Sequence, residues 1–125
     1  MQTAAYANYR TITTQTAGPG ELLLQLYQAA IKNIGQARLA IETVNVPAAH
    51  KHIVRAQDIL LELQRTLDHE RGGDLAPRLD ALYDFMRGRL FDANVRKEIA
   101  PLEEVQGLLR TLLAAWQVAV RQSVR

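Results

Sequence analysis

The chain has 125 residues, of which 48% are apolar and 22% charged, with no cysteine and a formal net charge of +2 at pH 7. These values indicate one domain and exclude a wholly disordered chain, a disulfide framework and thiol chemistry. The apolar runs are far below the ~20 residues of a membrane-spanning helix, and no apolar leader follows a basic start, so we expect neither membrane insertion nor a secretory signal.

Residues 1 to 18 are rich in Thr, Ala, Gln and Asn and are predicted to form an N-terminal tail. The large apolar residues of this tail are Tyr6, Tyr9 and Ile12. Their three-residue spacing puts them on one face if the tail becomes a short helix. Two interpretations stay open, an ordinary strap packed on the rest of the chain and a displaceable cap over an apolar groove. Residues 19 to 125 are predicted to form the helical domain.

The first predicted helix begins at Pro19, because proline is tolerated in a first helical turn. It ends before Pro47, since the residue that precedes a proline is pushed out of the helical region. Apolar residues recur along it at alternating spacings of four and three, the pattern of a helix buried in a bundle. These residues are Leu23, Tyr27, Ala30, Ile34, Ala37 and Ile41.

The second predicted helix begins at Pro47 and ends at Arg71-Gly72-Gly73, where glycines suit a tight turn. One arc of roughly 120° carries the residues Ile53, Ala56, Ile59, Leu60, Leu63 and Leu67, which form a seam for burial. Val54 and Leu61 lie together on nearly the opposite side, and Gln57, Asp58 and Arg65 surround them. We predict that this second face holds something outside the chain.

The third predicted helix follows an N-cap at Asp74, has Pro77 in its first turn and ends at Asn94. Its inward stripe is formed by Leu75, Leu79, Leu82, Tyr83, Met86, Leu90 and Ala93. Phe85 and Phe91 fall outside that stripe and, with Val54 and Leu61, form surplus apolar surface. Several such residues on neighbouring helices are typical of a groove for an amphipathic partner helix.

The fourth predicted helix begins at Pro101, and Gly107 within it predicts a close contact with another helix. Its buried positions repeat at spacings of three and four, and they are Leu102, Val105, Leu109, Leu112, Trp116 and Ala119. Four helices of about 20 residues joined by short turns predict an all-α fold, an antiparallel up-down four-helix bundle.

The residues that usually carry chemistry are few. His50 and His52 are two apart and cannot share a helix face, so we predict no metal site, and neither a nucleotide-binding loop nor a catalytic pair is found. Basic residues are interleaved with acids, which argues against nucleic-acid binding. We therefore predict no enzyme and no cofactor. An alternative function is a histidine phosphotransfer bundle with His52 beside Lys51, although its place in a first helical turn argues against it.

Several short strings stand out by their order and spacing. They are Tyr6 and Tyr9, Leu24, Leu26-Tyr27, Ala30-Ile31, Arg55-Ala56-Gln57-Asp58-Ile59-Leu60-Leu61-Glu62-Leu63, Leu67-Asp68, Gly72-Gly73, Leu82-Tyr83-Asp84-Phe85-Met86, Leu90, Ala93-Asn94, Val105, Leu108-Leu109 and Trp116. Together they resemble the flagellar secretion chaperone family (FliS), which binds flagellin. The resemblance covers nearly the whole chain, with one departure at Gln28-Ala29, where the family more often has Asp-Gly.

This resemblance implies a cytoplasmic export chaperone that clamps the disordered C-terminal segment of flagellin, prevents premature polymerisation and assists flagellar type III secretion. It also implies docking at the export gate and a tail, with Tyr6, Tyr9 and Ile12, that covers part of the empty groove. The expected flagellin contacts are Val54, Gln57, Asp58, Leu61 and Arg65 on the second helix and Leu82, Phe85 and Met86 on the third. For Leu82 and Met86, burial in the core is the competing interpretation.

Overall fold

A computed structural model describes residues 18–123 of the chain. These residues form the helices α1 (Pro19–Glu42), α2 (Val46–Arg65), α3 (Leu75–Arg96) and α4 (Ile99–Ser123). Both α1 and α3 pack against α2 and α4, so the four helices lie at the corners of a square. His50 is hydrogen-bonded to Asn94 and Gln64 to Asp84, which shows that α2 and α3 are antiparallel. The predicted all-α four-helix bundle is confirmed.

The core is formed by the apolar stripes that the spacing predicts. At its centre the hydroxyls of Tyr27 and Tyr83 are hydrogen-bonded to each other across the bundle. Ile41, Leu82 and Leu112 are only partly buried and pack against the edge of the core. The largest side chains with no more than 1% exposure are Tyr27, Tyr83, Leu23, Ile34, Ile53, Leu60, Leu63, Met86, Leu90, Leu102 and Leu109.

Helix α2 ends at Arg65, six residues before the predicted stop at Arg71. The Thr66 hydroxyl donates to the carbonyl of Glu62 at 3.0 Å, and the Asp68 carboxylate accepts from the backbone N–H groups of Glu70 and Arg71. Hydroxyl and carboxylate groups near the backbone compete with helical hydrogen bonds in this way. The chain then forms the connection 66–74, in which Gly73 takes a left-handed conformation with φ of 55°.

The other turns also differ from the prediction. Helix α3 continues past Asn94 to Arg96, and Lys97 takes the left-handed position with φ of 53°. Asp74 makes no side-chain cap on α3, whereas Asn45 caps α2 by accepting from the backbone N–H of Ala48 at 3.2 Å. The side-chain cap of α2 therefore lies at a residue that the sequence pattern did not single out as a cap.

The predicted close helix contact at Gly107 is wrong. A Cβ atom added there would meet no atom within 4 Å, because Gly107 is exposed. The close approach occurs instead between Gly35 on α1 and Gln106 on α4. A Cβ on Gly35 would lie 3.3 Å from the side-chain nitrogen of Gln106, which donates to the carbonyl of Ile31 at 3.1 Å.

These two glycines give a matched pair of stability predictions. Gly107→Ala is expected to raise the free energy of unfolding by up to about 1 kcal/mol, the helix-propensity difference between the two residues. Gly35→Ala is expected to give no gain, because the new methyl group pushes Gln106 away from the Ile31 carbonyl. Urea denaturation of both variants measures the difference. Equal stabilisation of the two would show that Gln106 moves at no cost and would contradict the close contact.

Candidate functional site

Helix α2 has one buried side and one side that faces two grooves. Ile53, Leu60 and Leu63 are fully buried, as predicted for the seam. On the other side Val54, Gln57 and Leu61 are partly buried, and Asp58 and Arg65 are exposed. The predicted second face of α2 is therefore accessible, with Asp58 at its middle.

The first groove, called the α2/α3 groove, lies between these two helices and has a volume of about 400 Å³. Leu61 from α2 and Phe91 from α3 give it an apolar character, and Phe91 is 60% exposed. Gly88 leaves part of the groove open, because a Cβ added there would meet nothing within 4 Å. The complete lining is Gln57, Asp58, Leu61, Asp84, Arg87, Gly88 and Phe91.

A polar network joins α2 to α3 along the rim of this groove. Gln64 donates to the Asp84 carboxylate at 2.8 Å and to the carbonyl of Asp80 at 3.3 Å. Arg87 donates to the side-chain oxygen of Gln64 at 3.2 Å and lies 3.6 Å from the Asp84 carboxylate. Each partner restrains the others, so the rim is held in place before any ligand binds.

The second groove, called the α1/α2 groove, is larger at about 640 Å³, and three cationic residues line it. Val54 lines this groove, whereas Leu61 lines the other one. The two residues that the sequence places side by side on α2 thus belong to different grooves, and Asp58 lines both. The complete lining is Ala29, Lys32, Asn33, Gln36, His50, Lys51, His52, Val54, Arg55 and Asp58.

The remaining predicted contacts lie elsewhere. Met86 is 0% exposed and belongs to the core, so its side chain is not accessible to a client. Leu82 is partly buried against the core, Phe85 is 46% exposed, and Arg65 is exposed near the end of α2. These four residues line neither groove. Tyr6, Tyr9 and Ile12, predicted as the cap, lie outside the described residues.

Sequence reasoning found Phe91 on the α3 side of the α2/α3 groove but missed Arg87 and Gly88. Arg87 and Gly88 line this groove, but neither has an apolar side chain, so a search for apolar stripes does not identify them. The available signal is the glycine itself, since an exposed glycine inside a helix lowers stability without helping a core. The cluster of Lys32, Lys51 and Arg55 was also missed, because Lys32 joins the other two only when α1 packs on α2.

Two of the three histidines, His50 and His52, take part in hydrogen bonds between helices. His52 Nδ1 lies 2.9 Å from the Asn33 side-chain oxygen, and His50 Nδ1 lies 3.0 Å from the Asn94 side-chain nitrogen. Within residues 18–123 no group of three or more His, Cys, Asp or Glu residues is placed to hold a metal ion. The helices of that range contain no segment long and apolar enough to span a membrane.

Comparison with known proteins identifies a family and several relatives of this chain. The family model for flagellar protein FliS matches residues 1–123. The flagellar secretion chaperone FliS of Bacillus subtilis is 35% identical over 116 residues, which cover 93% of this chain and 86% of the relative. Flagellar secretion chaperone FliSB of Pseudomonas aeruginosa is 38% identical, covering 80% of this chain and 79% of the relative. FliS of Salmonella typhimurium is 37% identical, covering 82% and 76%. The chain therefore belongs to the FliS family of flagellar proteins.

Proposed function

We propose that this chain is a cytoplasmic flagellar export chaperone that binds the disordered C-terminal segment of flagellin. Bound there, it would prevent premature polymerisation and assist delivery to the flagellar type III export apparatus. The observation that carries this proposal is family membership, since the relatives from three bacteria are named flagellar secretion chaperones. The role is one of binding and release and requires no catalytic group.

The α2/α3 groove supports this function. An amphipathic helix binds by placing apolar side chains in a groove between two helices, with polar contacts at its rim. Leu61 and Phe91 supply the apolar part here, while Asp84 and Arg87 supply the rim. A disordered client must offset about 2–5 kcal/mol of ordering free energy, so several apolar contacts are needed together. Phe85, exposed on α3 outside the groove, extends the apolar surface available to such a client.

The proposal is tested by mixing the purified full chain with unpolymerised flagellin. We expect a one-to-one complex by size-exclusion chromatography with light scattering, and a slower onset of flagellin polymerisation. Flagellin that lacks its C-terminal segment is the control and should not bind. Equal binding of truncated and intact flagellin would exclude that segment as the client, and no complex with intact flagellin would overturn the proposed function.

A further inference from the structure

The α1/α2 groove concentrates positive charge. Lys32 on α1 and Lys51 and Arg55 on α2 are all exposed around it, and Asp58 is the one acidic residue in its lining. Among residues 18–123 these three cations have no ion-pair partner within 4.0 Å. The groove therefore has a net positive charge that the described part of the chain does not neutralise.

The arrangement of these cations is unfavourable in the empty chain. Lys51 and Arg55 are four residues apart on α2 and so lie next to each other on the helix surface, where like charges repel. Lys32 adds a third positive charge from the neighbouring helix. A carboxylate bound between them would relieve this repulsion and form charge-assisted hydrogen bonds.

The rest of the lining indicates a protein ligand. Ala29 and Val54 are partly buried in the groove and offer apolar contacts, and the amides of Asn33 and Gln36 offer hydrogen bonds. Nucleic acid requires a longer basic stripe that follows many phosphates. Apolar contacts between cations fit a segment that has Asp or Glu on one side and apolar residues on the other.

We infer that the α1/α2 groove binds an acidic, amphipathic stretch of the same client whose apolar stretch occupies the α2/α3 groove. This inference rests on the proposed function. Asp58 borders both grooves, so they are separated by the width of α2 alone. That width is about 10 Å, which about three extended residues can cross. One client chain that passes over α2 therefore reaches Leu61 and Phe91 in one groove and the three cations in the other.

The test compares flagellin binding by the wild-type chain and by the double variant Lys51→Glu/Arg55→Glu. Both residues are exposed, so circular dichroism should show unchanged helix content. Isothermal titration at about 50 mM salt should give roughly tenfold weaker binding for the double variant, and its affinity should depend less on salt between about 50 and 300 mM. The matched control is Arg110→Glu/Arg121→Glu, which makes the same charge change on exposed positions of α4 outside both grooves and should bind like the wild type.

Three other outcomes would contradict the inference. If the double variant binds flagellin with wild-type affinity and wild-type salt dependence, the inference is overturned and the proposed function stands. If the wild-type chain binds no flagellin, the proposed function fails, and this inference fails with it. If the double variant binds flagellin normally but loses binding to single-stranded DNA or to phosphatidylglycerol vesicles, the groove recognises phosphate and the assignment of a protein segment is overturned.

Discussion

Leu61→Asp is expected to weaken flagellin binding about thirtyfold or more while leaving the bundle folded. Leu61 is a partly buried apolar residue of the α2/α3 groove, and the few hot-spot residues near the centre of an interface each contribute about 2 kcal/mol or more to binding. A carboxylate at this position would lose the apolar contact and would have to be desolvated beside a client helix. Isothermal titration measures the affinity, and urea denaturation measures stability.

The control for this prediction is Leu39→Asp. Leu39 lies on α1, is 59% exposed and lines neither groove, so the same substitution there should leave flagellin affinity unchanged. Both variants introduce the same carboxylate, so a difference in their flagellin affinity is caused by the position of the substitution and not by the added charge. Wild-type affinity of Leu61→Asp would remove the α2/α3 groove from the client-binding surface, whatever the result for Leu39→Asp.

Leu60→Ala is expected to lower the free energy of unfolding by about 2–5 kcal/mol, the usual cost of truncating a buried leucine. Leu60 is 0% exposed and belongs to the core cluster between the helices. The loss of stability has two parts. The first is the lost free energy of burying the removed apolar atoms, and the second is the cost of the cavity that remains because neighbouring side chains do not fully relax. Domains of this kind are stable by roughly 5–15 kcal/mol, so this substitution removes a large share. The change is measured by urea denaturation at 25 °C.

Leu61→Ala is the natural comparison, because it makes the same truncation one residue further along α2. Leu61 is partly exposed, so its truncation should lower the free energy of unfolding by less than about 1 kcal/mol. Its main effect should be on flagellin affinity. Similar stability losses for Leu60→Ala and Leu61→Ala would contradict the assignment of these neighbours to the core and to the groove.

The apolar spacing was sufficient to predict the bundle. Leu23, Tyr27 and Ile34 on α1 recur with the helical period, and all three are buried. Such residues identify an inward face because one side of each helix must leave water, whichever neighbour it meets. The ends of helices were less predictable, since α2 stops where Thr66 and Asp68 form local hydrogen bonds that the apolar pattern does not show.

Features that depend on how two helices meet could not be read from either helix alone. Gly35 and Gly107 look equivalent in the sequence, but only Gly35 faces a neighbouring helix closely. The rotation of α1 against α4 decides this, and it is set by the whole core. For the same reason Val54 and Leu61, one helical face in the sequence, line different grooves once α1 and α3 pack on either side of α2.

Met86 shows a further limit at the candidate site. Its neighbour Phe85 is exposed and Met86 is fully buried, although both were predicted as client contacts. Adjacent residues on a helix point about 100° apart, so one can be exposed while the next is buried. The apolar spacing had also placed Met86 in the inward stripe of the third helix, and its burial agrees with that interpretation rather than with a client contact.

The connection 66–74 is longer than the turns at the opposite end of the bundle, which span 43–45 and 97–98. Its exposed residues His69 and Glu70 line neither groove. Since the chain has no cysteine, a single thiol introduced at Glu70 would be the only one in the molecule. A fluorescent dye attached there would report client binding without occupying either groove.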